Sequence, residues 1–377
     1  MNDWTRNMMA PLPAALVALG LLAGTGCSRE TPVPPAPPVP AVAEALPADP
    51  PAPRRAPLDA AKLMLAFKPA PRAKAAPAPV DSEARIALGR MLFFDPRLSK
   101  NHDISCNSCH GLDTFGVDNK PLSDGHRGQK GTRNSPTVYN AAGHIAQFWD
   151  GRAASLEAQA EGPLFNPVEM ALPDDRRLVE TLASIPEYQK RFRQAFPGEK
   201  QPITRATVTQ AIAAFERQLT TPSRFDAFLD GDAGALTAQE RRGLETFVAV
   251  GCTTCHNGGA VGGTSFQKLG LIEPWPHVGD AGRFEVTKDE EDLNKFRVPT
   301  LRNVEKTAPY LHSGSVQALP EMVRLMARHQ LGQTLPEPDV EDVVAFLRSL
   351  TGQLPQQYIS VPELPKSTPR TPKPDPS

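Results

Sequence analysis

The sequence predicts an all-α protein of two domains, each built around one copy of a short cysteine–histidine motif, and three observations predict it. The first is the pair of strings Cys106-Asn107-Ser108-Cys109-His110 and Cys252-Thr253-Thr254-Cys255-His256, two C-x-x-C-H motifs 146 residues apart. The second is periodicity. Apolar residues recur at helical spacing in Val208, Ala211, Ile212, Phe215 and Leu219, and again in Val340, Val343, Val344, Leu347 and Leu350, whereas alternating extended runs are almost absent. The third is the distribution of proline: of 41 prolines, fifteen lie between Thr31 and Val80 and seven between Pro355 and Ser377. An ordinary globular middle is thus flanked by proline-rich segments.

The elements follow in order. A charged start with Arg6 and an apolar run from Met8 to Gly24 read as an export signal, too short to span a bilayer. Gly24-Thr25-Gly26-Cys27-Ser28 resembles a bacterial lipoprotein processing site, in which Cys27 becomes the acylated first residue. Gly24 stands where such sites usually carry leucine, so simple cleavage is the alternative. Residues 1–27 are therefore the signal and 28–57 a Pro/Ala-rich, semi-rigid tether. A short helix is expected over Leu58–Phe67, and a second, capped by Asp81 or Ser82, runs to Phe94 and stops at Asp95-Pro96. Ser99 to Thr137 is loop-rich. Thr237-x-x-Glu240 forms a capping box that opens the helix delivering the second motif. The expected domains are 58–220 and 221–354, and the first part of the tail 355–377 is expected to pack on the N-terminal domain.

Two cysteines three apart lie on one face of a helical turn and can bond the two vinyl groups of one haem, and the adjoining histidine then supplies an iron ligand. Cys106, Cys109 and His110, and Cys252, Cys255 and His256, are thus predicted to attach two c-type haems. A Cys₄ zinc site is the structural alternative, but it leaves the repeated histidine without a purpose. One lipid-bearing and four haem-bearing cysteines account for all five, which leaves none for a disulfide framework. Only 23 residues are aromatic, so the haems supply apolar bulk that the side chains do not. With 41 basic against 42 acidic residues and no basic block, nucleic-acid binding is excluded.

Other positions are ambiguous from residue chemistry alone. Met326 could be a thioether ligand to the second haem or a helical core residue. His126, in Asp124-Gly125-His126-Arg127-Gly128, could fold back over a haem or face solvent. Trp149 and Glu169 read equally well as core and solvated residues. To this point the chain is an exported dihaem cytochrome.

Five strings carry a resemblance to the bacterial dihaem cytochrome c peroxidases over about Leu58 to Pro365. They are Leu92-Phe93-Phe94-Asp95-Pro96-Arg97-Leu98-Ser99, Arg133-Asn134-Ser135-Pro136-Thr137, Phe148-Trp149-Asp150-Gly151-Arg152, Val168-Glu169-Met170, and Pro299-Thr300-Leu301-Arg302-Asn303 running into Thr307-Ala308-Pro309-Tyr310-Leu311-His312-Ser313-Gly314. The resemblance implies that the C-terminal haem is high-potential, ligated by His256 and Met326, and takes electrons from a small periplasmic cytochrome c or cupredoxin. It implies that the N-terminal haem, on His110, reduces hydrogen peroxide, with His126 a distal ligand that leaves the iron on activation. Glu169 then matches the acid/base residue, Gln159 the amide beside it, and Trp149 the tryptophan between the haems. One calcium is implied on Asn134, Thr307 and Pro309, and a homodimer is a family expectation. His102, His144, His277, His312 and His329 are left as structural or surface residues. Two other readings stand beside this one: a non-catalytic electron-transfer protein, and a relative that matures a tryptophan-derived quinone cofactor, which carries tyrosine where this chain has Met326.

Overall fold

The computed structural model describes residues 60–70, 81–276 and 279–377. The export signal, Cys27, the tether and His277 lie outside the described residues. The described chain is helix-rich with little sheet.

The helices are α1 (Ala60–Ala66), α2 (Glu83–Phe94), α3 (Cys106–Cys109), α4 (Leu156–Phe165), α5 (Asp175–Ala183), α6 (Pro186–Ala195), α7 (Arg205–Glu216), α8 (Arg224–Leu229), α9 (Ala238–Ala249), α10 (Phe284–Thr287), α11 (Leu319–Leu331), α12 (Glu337–Ser349) and α13 (Gln356–Ile359). Local chemistry sets several boundaries where the sequence places them. The Ser82 side chain accepts from the Arg85 amide at the start of α2, and the helix ends at Asp95, before Pro96. Thr237 and Glu240 cap each other's amides at the start of α9, the expected capping box.

Two apolar cores result, and they share one packing device. In the first core α2 crosses α7 so closely that a Cβ added at Gly89 would stand 1.8 Å from the Ala211 carbonyl oxygen, and Phe93 meets Phe215 edge-on with ring centroids 5.5 Å apart. In the second, a Cβ at Gly243 on α9 would stand 1.8 Å from the Asp342 carbonyl oxygen on α12, and Phe247 meets Phe346 at 5.3 Å. Each crossing uses a Gly-x-x-x-Phe stripe on the helix that precedes a C-x-x-C-H motif. Glycine is needed because the two backbones touch.

Two assignments made from sequence change. Helix α1, expected with the N-terminal half, packs into the second core: Leu63 and Phe67 are buried there, Phe67 meets Phe225 at 5.2 Å, and the Gly258 amide donates to the Ala66 carbonyl. The buried Asp226 then accepts from the Ala70 amide while pairing through both oxygens with the fully buried Arg302. The tail goes further than expected. Leu354, Tyr358, Ile359 and Leu364 pack against the first core, and the contacts continue to Ser377. An extended proline-rich segment makes no backbone ladder of its own, so its carbonyls are free to accept from side chains. Arg90 donates to the Ser360 carbonyl, Arg97 to that of Pro365 and Arg177 to that of Lys373.

The one sheet among the described residues has two antiparallel strands, β1 (Phe266–Lys268) and β2 (Lys295–Arg297), with Phe266 opposite Arg297. It fixes Arg297 in place, because the Arg297 amide donates to the Trp149 carbonyl at 2.7 Å.

Candidate haem sites

Each C-x-x-C-H motif opens onto a cavity. The first, of about 290 Å³, is lined by Cys106, Cys109 and His110 from α3 and the following turn, by Gln159 from α4, and by Phe148, Arg152 and Glu169. The second, of about 230 Å³, is lined by Cys252, Cys255, His256 and, from α11, Met322 and Met326. Asn134, His144, Trp149 and Arg297 border both. Trp149 is buried, and its indole N–H donates to the Asn134 carbonyl at 2.9 Å, which fixes the ring between the cavities.

The residues fit covalently attached haem. Burial pushes the Cys109 thiol up to about 11 and the Cys252 thiol up to about 12, and raises Cys106 as well, so none of the three is a thiolate. Burial lowers His256 to about 4 and lowers His110 too, which keeps both imidazoles in the neutral form that binds iron. His110 Nδ1 lies 3.3 Å from the Gly116 carbonyl, so it carries the proton and Nε2 keeps its lone pair. Between the cavities the Arg297 guanidinium is buried with Nη1 unpartnered, and both ring nitrogens of His144 are buried and unpartnered. A buried cation without an anion is costly, and the carboxylates carried by a bound haem would offset that cost. Among the described residues no group of three or more His, Cys, Asp or Glu side chains stands together as a metal site.

The first cavity is bordered by the Glu169 carboxyl. Burial raises the Glu169 carboxyl above its ordinary value, opposed by a 2.8 Å hydrogen bond from Asn166 Nδ2 and by the nearby Arg152. Gln159 borders the same space. His126, in contrast, is absent from the lining of this cavity. Its ring is buried with Nε2 3.0 Å from the Ser377 carbonyl oxygen, and its amide donates to the carbonyls of Val168 and Glu169. Gly125 permits that contact, since a Cβ there would stand 1.8 Å from the Val168 oxygen. The loop bearing His126 thus lies directly on the backbone that presents Glu169.

Asn134, Thr307 and Pro309 all border the second cavity.

Sequence reasoning missed four residues here. His144 and Arg297 border both cavities. His312 is buried, stacked on Phe296 at 4.1 Å and edge-on to Trp149 at 6.4 Å. Glu216 on α7 borders the first cavity, fully buried, with Oε2 unpartnered and its carboxyl pushed up to about 8 by burial. The signal for Glu216 was its position four residues after Ile212 on an apolar stripe.

Residues 83–234 match the model of the di-haem cytochrome c peroxidase family. Over 299 residues the chain is 50% identical to cytochrome c551 peroxidase of Pseudomonas aeruginosa, covering 78% of this chain and 85% of that one. The chain belongs to the di-haem cytochrome c peroxidase family. Cytochrome c551 peroxidase of Nitrosomonas europaea is 48% identical over 292 residues, 77% of this chain and 86% of the relative. Among solved structures, a MauG-like protein associated with microbial copper homeostasis superposes with a TM-score of 0.69 at 31% identity, over 78% of this chain and 98% of that one. Both halves of this peroxidase-family chain therefore have counterparts in the same relatives.

Proposed function

We propose that the protein is a cytochrome c peroxidase that reduces hydrogen peroxide to water, taking two electrons through the second cavity and using them in the first. The observation that carries this is the pairing of Glu169 and Gln159 in the first cavity with Met326 in the second, across a shared Trp149. Each half would be a cytochrome c-like domain around one haem c. Bound there, the two haems would supply the electron relay and the centre at which the O–O bond is reduced.

The chain's own residues do the rest. His110 and His256 hold the irons, each as a neutral imidazole. Met326 is the second ligand at the electron-entry site, where a soft thioether raises the potential. Trp149 lies between the two sites as the route of electronic coupling. In the first cavity the Glu169 carboxylate takes the proton from one peroxide oxygen and returns it to the other, so that the departing oxygen leaves as water; the Gln159 amide orients the peroxide. Two electrons and two protons per peroxide give two waters. His126 would be the labile ligand of the first iron. Calcium on Asn134, Thr307 and Pro309 would brace the seam between the cavities. The protein would act in the periplasm, tethered through acylated Cys27, as a homodimer receiving electrons from a small cytochrome c or cupredoxin. No helix among the described residues is long and apolar enough to cross a membrane.

The test is peroxide turnover by the calcium-loaded, half-reduced holoprotein, followed as oxidation of reduced cytochrome c. Glu169→Gln should lower kcat by about 10²- to 10⁴-fold with both haems still attached, the range of a lost acid/base group. Equal turnover in Glu169→Gln and the parent would contradict the assignment. A parent without turnover would favour the electron-transfer reading. The quinone-maturing reading is disfavoured by methionine, not tyrosine, at position 326.

A further inference from the structure

We propose that the end of the proline-rich tail, residues 368–377, is a strap that holds His126 off the first haem and so sets how readily that site opens to peroxide. The inference rests on the reading of His126 as the labile ligand.

Hydrogen-bond chemistry makes the Ser377 contact exclusive with iron ligation through Nε2 of His126. The Ser377 carbonyl oxygen 3.0 Å from Nε2 can only accept, so Nε2 must carry the proton. A nitrogen that donates its N–H to Ser377 has no lone pair for iron. The ring is buried, so water cannot readily replace the Ser377 contact.

The strap is fixed along its length to the first half of the molecule. Thr371 Oγ1 lies 2.7 Å from Ser184 Oγ, and Thr368 Oγ1 donates to the Ser184 carbonyl at 3.0 Å. Arg177 Nη2 donates to the Lys373 carbonyl at 2.5 Å. The Asp375 amide donates to the Lys100 carbonyl at 3.0 Å, and Lys100 Nζ returns to the Ser377 carbonyl at 2.7 Å. The Lys100 amide in turn donates to the Met170 carbonyl, next to Glu169. Strap, His126 loop and acid/base segment are therefore one hydrogen-bonded unit. Pro369, Pro372, Pro374 and Pro376 restrict the unattached strap, which lowers the entropy lost when it docks.

A contact made only in the detached state shifts the equilibrium towards that state. Losing it should change the detached-to-ligated ratio about five-fold or more, the effect of one net hydrogen bond.

The experiment uses half-reduced, calcium-loaded holoprotein in three forms: the parent, a chain ending at Ser367, and Lys100→Met, which keeps the strap but removes its anchor at Ser377. Each is made alone and with His126→Gly, and electron paramagnetic resonance reads the high-spin to low-spin ratio at the first haem. In both strap variants the high-spin to low-spin ratio should fall about five-fold or more relative to the parent, and His126→Gly should restore it. An unchanged ratio in both strap variants overturns the strap and leaves the peroxidase reading standing. A low-spin signal that persists with His126→Gly overturns His126 as the ligand, and the strap with it.

Discussion

The two cavities begin from the same five-residue motif and differ in the other residues that border them. The cavity at His256 is bordered by helix α11 with Met326, a regular element with a fixed backbone. The cavity at His110 is bordered by Gln159, the Asn166–Glu169 turn and Arg152, all polar groups. At the His256 cavity Met326 sits on a helix; at the His110 cavity helices α4 and α7 contribute Gln159 and Glu216, while Glu169 and the His126 segment lie on loops held by hydrogen bonds. A ligand that must stay belongs on a helix, and one that must leave belongs on a loop, because a short glycine-flanked loop opens at less cost than a packed helix. The comparison therefore teaches that function is divided between the sites by these other residues, since the motifs themselves are alike.

The comparison can be broken hardest at Met326. Met326→Leu keeps the volume but removes the thioether, and it should lower the potential of the second haem by on the order of 100 mV within the ~0.8 V range that axial ligands span. Turnover with a reduced cytochrome donor should fall with it, while haem attachment persists. Spectroelectrochemical titration checks this, and an unchanged potential would mean that Met326 is only a core residue.

A smaller effect sharpens the account of the first site. Glu169 must be deprotonated to accept the first proton, so turnover is lost as pH falls through its folded pKa. Burial has raised that pKa, which places the acid limb above the ordinary carboxylate range. Asn166 donates to the carboxylate and so favours the charged form. In Asn166→Ala the acid limb of the turnover profile should move to higher pH. A limb that stays in place would show that another group titrates there.

How legible all this was in the sequence depends on range. Signals confined to a few residues were readable: the two haem motifs are contiguous five-residue strings, and the Ser82 cap and the Thr237/Glu240 box depend on side chains meeting the backbone three residues away. The roles expected of Glu169, Gln159, Met326, Asn134, Thr307 and Pro309 came only from the family resemblance, because burial, which distinguishes a working carboxylate from a solvated one, leaves no local trace. What was missed is nonlocal. Helix α1 joins the second core through Phe67 and Phe225, distant in the chain, and Lys100 meets Ser377 across 277 positions. Arg297 and His144 were unreadable for another reason: their apparent partner is not another residue. The Gly-x-x-x-Phe stripe at Gly89 and Gly243 was present to be read, and only the backbone contact each glycine makes gives it meaning.

The asymmetry between the cavities is tested most directly by near-infrared and electron paramagnetic resonance spectra of the calcium-loaded, half-reduced holoprotein before and after cyanide, with the oxidised protein as reference. The account predicts a methionine-to-iron charge-transfer band in the oxidised protein that is absent in Met326→Leu, and, after half-reduction, a first haem that is high-spin and binds cyanide. Two haems that both stay low-spin and refuse cyanide would contradict it, because no cavity would then be open to peroxide.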